Sequence, residues 1–154
     1  MHKDGLRAWD RVFGWRRSAE ARATLMHARD YLPAGTRILD VGCGVGYALD
    51  VLSRDFGCVA FGCDVVTPPL PLDHFVRFDG NRLPYRDKSM DVVLLTFVLH
   101  HAEDPSVLLK EVSRVARRAV IVVEDTPRNR LEKRWGAMHV HSFNTRHGIP
   151  WAGK

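Results

Sequence analysis

The chain has 154 residues, so one domain is expected, and its 45% hydrophobic and 27% charged content is ordinary for a soluble globular protein. Its longest nearly apolar run, Val92 to Leu99, has eight residues, far short of the roughly 18–20 that span a bilayer. Met1-His-Lys-Asp-Gly5 lacks the apolar core of a leader, so a cytoplasmic location is expected.

Net charge is +5, divided as +3 over residues 1–36, −3 over 37–125 and +5 over 126–154. Basic flanks of this kind are either solvated helix faces or a means of steering an anionic partner. No stacking-aromatic motif of an RNA-binding module occurs, so nucleic acid is not an expected partner. Three cysteines without a C-x-x-C pair give neither a disulfide framework nor a zinc set. His139, His141 and His147 have no definite element to aim them and are read as solvated, so no metal is expected.

Residues 1–36 read as amphipathic helix. Leu6, Trp9 and Phe13 share one face, and Ala21, Leu25, Ala28 and Leu32 form a second segment after Ser18 as N-cap. Trp9, Phe13 and Trp15 either pack on the sheet or help close a pocket. Pro33-Ala-Gly35 turns the chain into the core, residues 37–125.

There Ile38, Leu39 and Val41 predict a buried parallel strand ending in Gly42, Gly44 and Gly46. Val45, Leu49, Leu52 and Phe56 fall on one helix face, with Gly57 as C-cap. Strand, glycine turn and helix start together hold a polar or anionic ligand group. The dinucleotide fingerprint G-x-G-x-x-G needs glycine at position 47, which is Tyr47. Asp40, two residues before Gly42, suits an ammonium group and repels a pyrophosphate. Cys58–Cys63 predicts a second strand stopping at Asp64, eighteen residues after Gly46, where a carboxylate accepts two hydrogen bonds from a ribose diol. Asp64 thus supports a nucleoside without choosing its kind.

Val65–Leu72 holds three prolines and predicts an extended crossover. His74–Phe78 is a short third strand closed by Asp79-Gly80-Asn81, and Val92–Leu99 a fourth, buried strand leading to His100-His101. Asp104 and Pro105 start a helix with Leu108, Val112 and Val115 inside and Lys110, Glu111, Arg114, Arg117 and Arg118 outside. Ala119–Val123 is a fifth strand, with Glu124-Asp125 at its end facing the cleft. In the basic segment 126–154, Thr126-Pro127 starts a helix bearing Leu131 and Trp135 on one face. The pattern fades after Gly136, Met138–Asn144 is ambiguous, and His147–Lys154 reads as loop.

Three local motifs together resemble class I S-adenosylmethionine-dependent methyltransferases, of the small-molecule, methyltransferase domain 11-like type. They are the Asp40–Gly46 turn, Leu83-Pro84-Tyr85 followed by Lys88-Ser89-Met90-Asp91, and Leu99-His-His-Ala-Glu-Asp-Pro105. The resemblance covers residues 33 to about 127. It implies a Rossmann-like α/β three-layer sandwich with a mainly parallel sheet in the order 3-2-1-4-5, and S-adenosylmethionine as cofactor. By the same resemblance Asp40, Gly42, Cys43, Gly44 and Gly46 serve the methionine end, Asp64 and Val65 the ribose, and Asp79, Gly80 and Asn81 the adenine. Carbonyls near Thr96 and Phe97 face the ammonium. The implied reaction transfers methyl to an O, N or C atom of a small-molecule acceptor. His101 is the candidate base or else a structural residue of the loop. Relatives continue with a further helix and an antiparallel strand pair for which this sequence has no segment. The expectation is therefore an exposed edge on the fifth strand, covered by a second copy or a partner. The alternatives are a non-catalytic cofactor-binding module or truncated fragment, and an NAD-dependent oxidoreductase, which Asp40 and Tyr47 argue against.

Overall fold

In the computed structural model, the described backbone comprises residues 3–124 and 126–147, and the described side chains residues 14–124, 126–132 and 134–147. The expectations for Leu6, Trp9 and Phe13, for Asp125 and for the 148–154 loop lie outside these residues. The elements are α1 (Lys3–Met26), β1 (Arg37–Val41), α2 (Tyr47–Phe56), β2 (Val59–Asp64), β3 (Phe75–Arg77), β4 (Met90–Thr96), α3 (Pro105–Val115), β5 (Ala116–Val123) and α4 (Arg130–His147). Short 3₁₀ turns occupy Arg29–Tyr31 and Leu99–His101.

The sheet order is β3-β2-β1-β4-β5 with every pairing parallel, as the sequence implied. β1 and β4 lie in the middle because they are apolar on both faces. Ile38, Leu39, Val41, Val92, Val93 and Leu95 are all fully buried. Alternation along the strands sends Ile38, Val92 and Leu94 to one side, against Leu49 and Leu52 of α2 and Leu25 of α1. Leu39, Val41, Val93 and Leu95 point the other way, against Leu108, Val112 and Val115 of α3. The chain leaves β1 toward β2 and β3, then returns past it to β4 and β5. Loops therefore diverge at the carboxyl ends of β1 and β4, where open α/β sheets form their cleft.

Several boundaries differ from the sequence reading. α1 runs unbroken through Ser18, because an interior serine is only mildly unfavourable in a helix and nothing there stops it. Val45 is not on the face of α2. It is 37% exposed in the turn, and the left-handed Gly46 is the N-cap. α3 ends at Val115, so Arg117 and Arg118 belong to β5. Arg117 is there paired with Asp91, which also accepts the backbone N–H of Arg37. Residues 138–144 are helical and α4 reaches His147. Leu131 and Trp135 are 69% and 72% exposed, while the helix is held by Val140 and the buried Asn144. A polar anchor hid that inward face from a hydrophobic-period reading.

Arg114, read as outward-facing, is half-buried and braces the Leu83–Asp87 segment. Its guanidinium donates to the carbonyls of Leu83 and Tyr85 and to the carboxylates of Asp87 and Glu111. Glu111 in turn accepts the N–H of Leu83 at 3.0 Å. The polar members of this motif thus fix a loop to α3. No described helix is long and apolar enough to cross a membrane.

Candidate active site

A cavity of about 390 Å³ opens at the carboxyl ends of the strands. The first four strands contribute at or just beyond their carboxyl ends. β1 supplies Gly42 and Gly44, β2 supplies Asp64 and Val65, and the end of β3 supplies Asp79, Gly80 and Asn81. The loop after β4 adds Phe97, Val98 and His101, and α4 adds Phe143 and His147.

The glycine turn folds back on β2. Gly42 and Cys43 donate to the carbonyl of Cys63 at 2.7 and 3.2 Å. Gly44 donates to Asp64 Oδ2 at 2.8 Å, and Val66 donates to Asp64 Oδ1 at 2.9 Å. One carboxylate therefore ties the first turn to the start of the proline-rich crossover. That crossover forms no helix, as its prolines imply, and Leu72 from it sits where a side chain on Gly46 would be. Asp79 accepts N–H bonds from Asn81 and Arg82 at 2.9 and 2.8 Å. These bonds, with Arg82 the larger contributor, hold its exposed carboxyl below the usual range.

Asp40, Cys43, Gly46 and Thr96 do not line the cavity. Asp40 is 3% exposed. Burial, and secondarily the charge of Asp64, push its pKa up to about 7. Cys43 faces the core beside Gly62, and burial raises its thiol well above the ordinary value, so it is not a poised nucleophile.

Asp40 carries a stability prediction. Its folded pKa lies above the unfolded 3.8. Between pH 4 and 7 the folded state holds a proton that the unfolded state has lost, so this group's contribution falls as pH rises through that window and is flat above it. Asp40→Asn removes the buried charge. Urea titrations at pH 5 and 8 should show the wild type losing more stability than the variant over that interval. Equal losses would contradict the assignment.

The turn after β4 is built by groups distant in sequence. Phe97 adopts φ +57 and is 42% exposed, and its N–H bonds the carbonyl of Val123. A bulky residue in this left-handed region is an outlier that neighbouring bonds must hold. Glu124 does so. Its Oε1 accepts the N–H groups of Val98 and Leu99 at 2.8 and 2.6 Å, and its Oε2 contacts His100 Nδ1 at 2.6 Å. Asn144 donates to the carbonyl of His101 at 3.0 Å, which leaves its Oδ1 to accept from His101 Nδ1 at 2.9 Å. A carbonyl can only accept, so the pair fixes the amide orientation and puts the His101 proton on Nδ1. Nε2 then keeps a lone pair. Burial, the largest cause, lowers the His101 pKa and favours this neutral form.

Phe143, His147 and Asn144 were missed by the sequence reading. Their only signal is the i, i+4 spacing of Val140 with Asn144 and of Phe143 with His147, within a segment too polar to reveal a helix.

Residues 39–123, more than half of the chain, match the family model of a methyltransferase domain. The chain belongs to this methyltransferase family. The cofactor of the family is S-adenosylmethionine. The methyltransferase chain is 35% identical over 104 residues to the 2-methyl-6-phytyl-1,4-hydroquinone methyltransferase of Synechocystis sp., covering 61% of this chain and 33% of that protein. It is 31% identical over 110 residues to a demethylmenaquinone methyltransferase of Streptomyces griseus, covering 67% of this chain and 44% of the relative. It thus spans less than half the length of either. Its fold is like that of an S-adenosylmethionine-dependent methyltransferase from Aquifex aeolicus, with a TM-score of 0.60, 22% identity, and coverage of 81% of this chain and 78% of that one. The donor set fits the cofactor. Asp64 and Asp79, from neighbouring strand ends, line one cavity, and carboxylate acceptors there match the hydroxyl and amino hydrogens of an adenosine.

Proposed function

We propose that this chain binds S-adenosylmethionine in the cavity and directs its methyl group to an O, N or C atom of a small, apolar, ring-containing acceptor. The observation that carries the first half is Asp64. It lines the cavity at the end of β2 while bonded to Gly44 of the glycine turn, so the group assigned to the ribose also sets the shape of the turn. Val65 lies beside it. Asp79, Gly80 and Asn81 are assigned to the adenine, and Gly42, Gly44 and the backbone near Thr96 and Phe97 to the methionine end. Cys43 and Gly46 belong to the turn without lining the cavity, and Asp40 is buried before it.

When bound, the cofactor supplies an electrophilic methyl on a positive sulfur. The protein then has to align donor and acceptor and exclude water. His101, with its Nε2 lone pair, is the residue assigned to take a proton from an O–H or N–H acceptor. The acceptor class rests on Phe97, Val98, Leu108 and Phe143, which make that part of the wall apolar and aromatic. It also rests on the relatives, whose names give a phytyl hydroquinone and demethylmenaquinone as substrates.

The test is incubation with methyl-deuterated cofactor and a panel of hydroquinones, naphthoquinols, glycine and tRNA, read by mass spectrometry. Label on a quinol is the expected result. Label on glycine or tRNA alone would overturn the acceptor class. Cofactor binding without label on any acceptor would favour a non-catalytic binding module.

A further inference from the structure

Three histidines from two elements converge beside the cavity. His100 and His101 lie in the turn after β4, and His139 lies on α4. One ring nitrogen from each lies within 4.8 Å of the other two, the cluster of this kind found among the described residues. The sequence reading left His139 solvated because no element was there to aim it. The helix aims it, with its ring 5.7 Å from that of His101, and the rings of His100 and His101 are 4.2 Å apart.

Two further bonds suit ligation. His100 Nδ1 bonds the Glu124 carboxylate, and His101 Nδ1 bonds the side-chain oxygen of Asn144. Metal-binding imidazoles characteristically give the non-ligating nitrogen to a carboxylate or carbonyl oxygen, which sets ring orientation and tautomer. Here that leaves Nε2 of both rings as the ligating atom. A tetrahedral zinc bound at 2.0–2.1 Å needs its nitrogens about 3.3 Å apart, closer than the 4.8 Å within which the three residues bring their ring nitrogens, so the rings must draw together on binding. His139 is exposed on the helix surface, so of the three its side chain is the one with room to turn toward the others.

We propose that His100, His101 and His139 bind one divalent cation of the zinc class at the rim of the cavity. Three protein ligands leave the fourth position open, as in sites that exchange a water or substrate oxygen. The cation and an acceptor proton then compete for the same lone pair of His101, so occupancy of the site decides which role that residue plays. This part rests on the base assigned to His101, whereas the binding site itself does not.

The experiment is titration of the untagged full chain with Zn²⁺ by calorimetry and with Co²⁺ by visible absorption, comparing wild type, His139→Ala and His141→Ala. The expected result is one equivalent of Zn²⁺ at micromolar affinity with tetrahedral Co²⁺ bands. His139→Ala should weaken binding at least about tenfold, and His141→Ala, altered on the same helix, should leave it unchanged. Absence of binding by the wild type, full affinity in His139→Ala, or equal loss in both variants would overturn the site. Binding of S-adenosylmethionine by His139→Ala shows that the variant is folded, and it is read separately. The cation site can therefore fail while the cofactor assignment stands, and the reverse.

Discussion

Gly42→Ala should weaken S-adenosylmethionine binding by roughly a hundredfold or more, with a lower melting temperature. Two costs combine. Gly42 has φ +76, where an L side chain costs about 1–2 kcal/mol. A Cβ there would lie 2.3 Å from Val98 Cγ2, an overlap in a packed site that costs about 1–3 kcal/mol. Val98 belongs to the loop held by Glu124, so neither side moves without disturbing a wall of the cavity. The double variant Gly42→Ala/Val98→Ala removes the overlap and keeps the backbone strain, and it should recover part of the affinity. Gly35→Ala is the control, with φ +81 and no atom within 4 Å of the added carbon. It should lose stability and keep affinity. Wild-type binding by Gly42→Ala would show that the turn does not touch the cofactor.

The second large effect is at Asp64. Asp64→Ala removes a carboxylate from the cavity wall and two acceptors from the N–H groups of Gly44 and Val66. A charge-assisted bond contributes about 1.5–3 kcal/mol, so affinity should fall about ten- to a hundredfold. Loss of turn geometry alone could produce the same fall, and 2′-deoxy-S-adenosylhomocysteine separates the two. If Asp64 holds the diol, removal of the 2′-hydroxyl weakens binding to the wild type and has little further effect on the variant. Additive losses would place the ribose elsewhere and leave Asp64 as a brace of the turn.

The sheet was legible because its signals are local. Ile38, Leu39 and Val41, and Val92–Leu95, are short apolar runs of the kind that make central parallel strands. The glycine turn and the acidic residues at strand ends were legible for the same reason. The walls built by distant residues were not. Nothing near Glu124 says that it folds back 26 residues to hold the N–H of Val98. Asn144 reads as a surface residue until the backbone of His101 is placed opposite it. Phe97 in a left-handed conformation is likewise a product of those bonds, because no aromatic residue prefers it. The same long-range placement turns His139 from a solvated side chain into a neighbour of His101. It also takes Asp40 out of the cavity lining, to a place where burial favours its uncharged form.

The central claim is that the cavity at the ends of β1, β2 and β3 is an adenosyl amino acid site. Its most direct test is parallel calorimetric titration of the purified chain with S-adenosylmethionine, S-adenosylhomocysteine and NAD. The account predicts micromolar binding of the first two at one equivalent each and none of NAD. Binding of NAD, or no binding of either adenosyl amino acid by a chain that unfolds cooperatively, would contradict it.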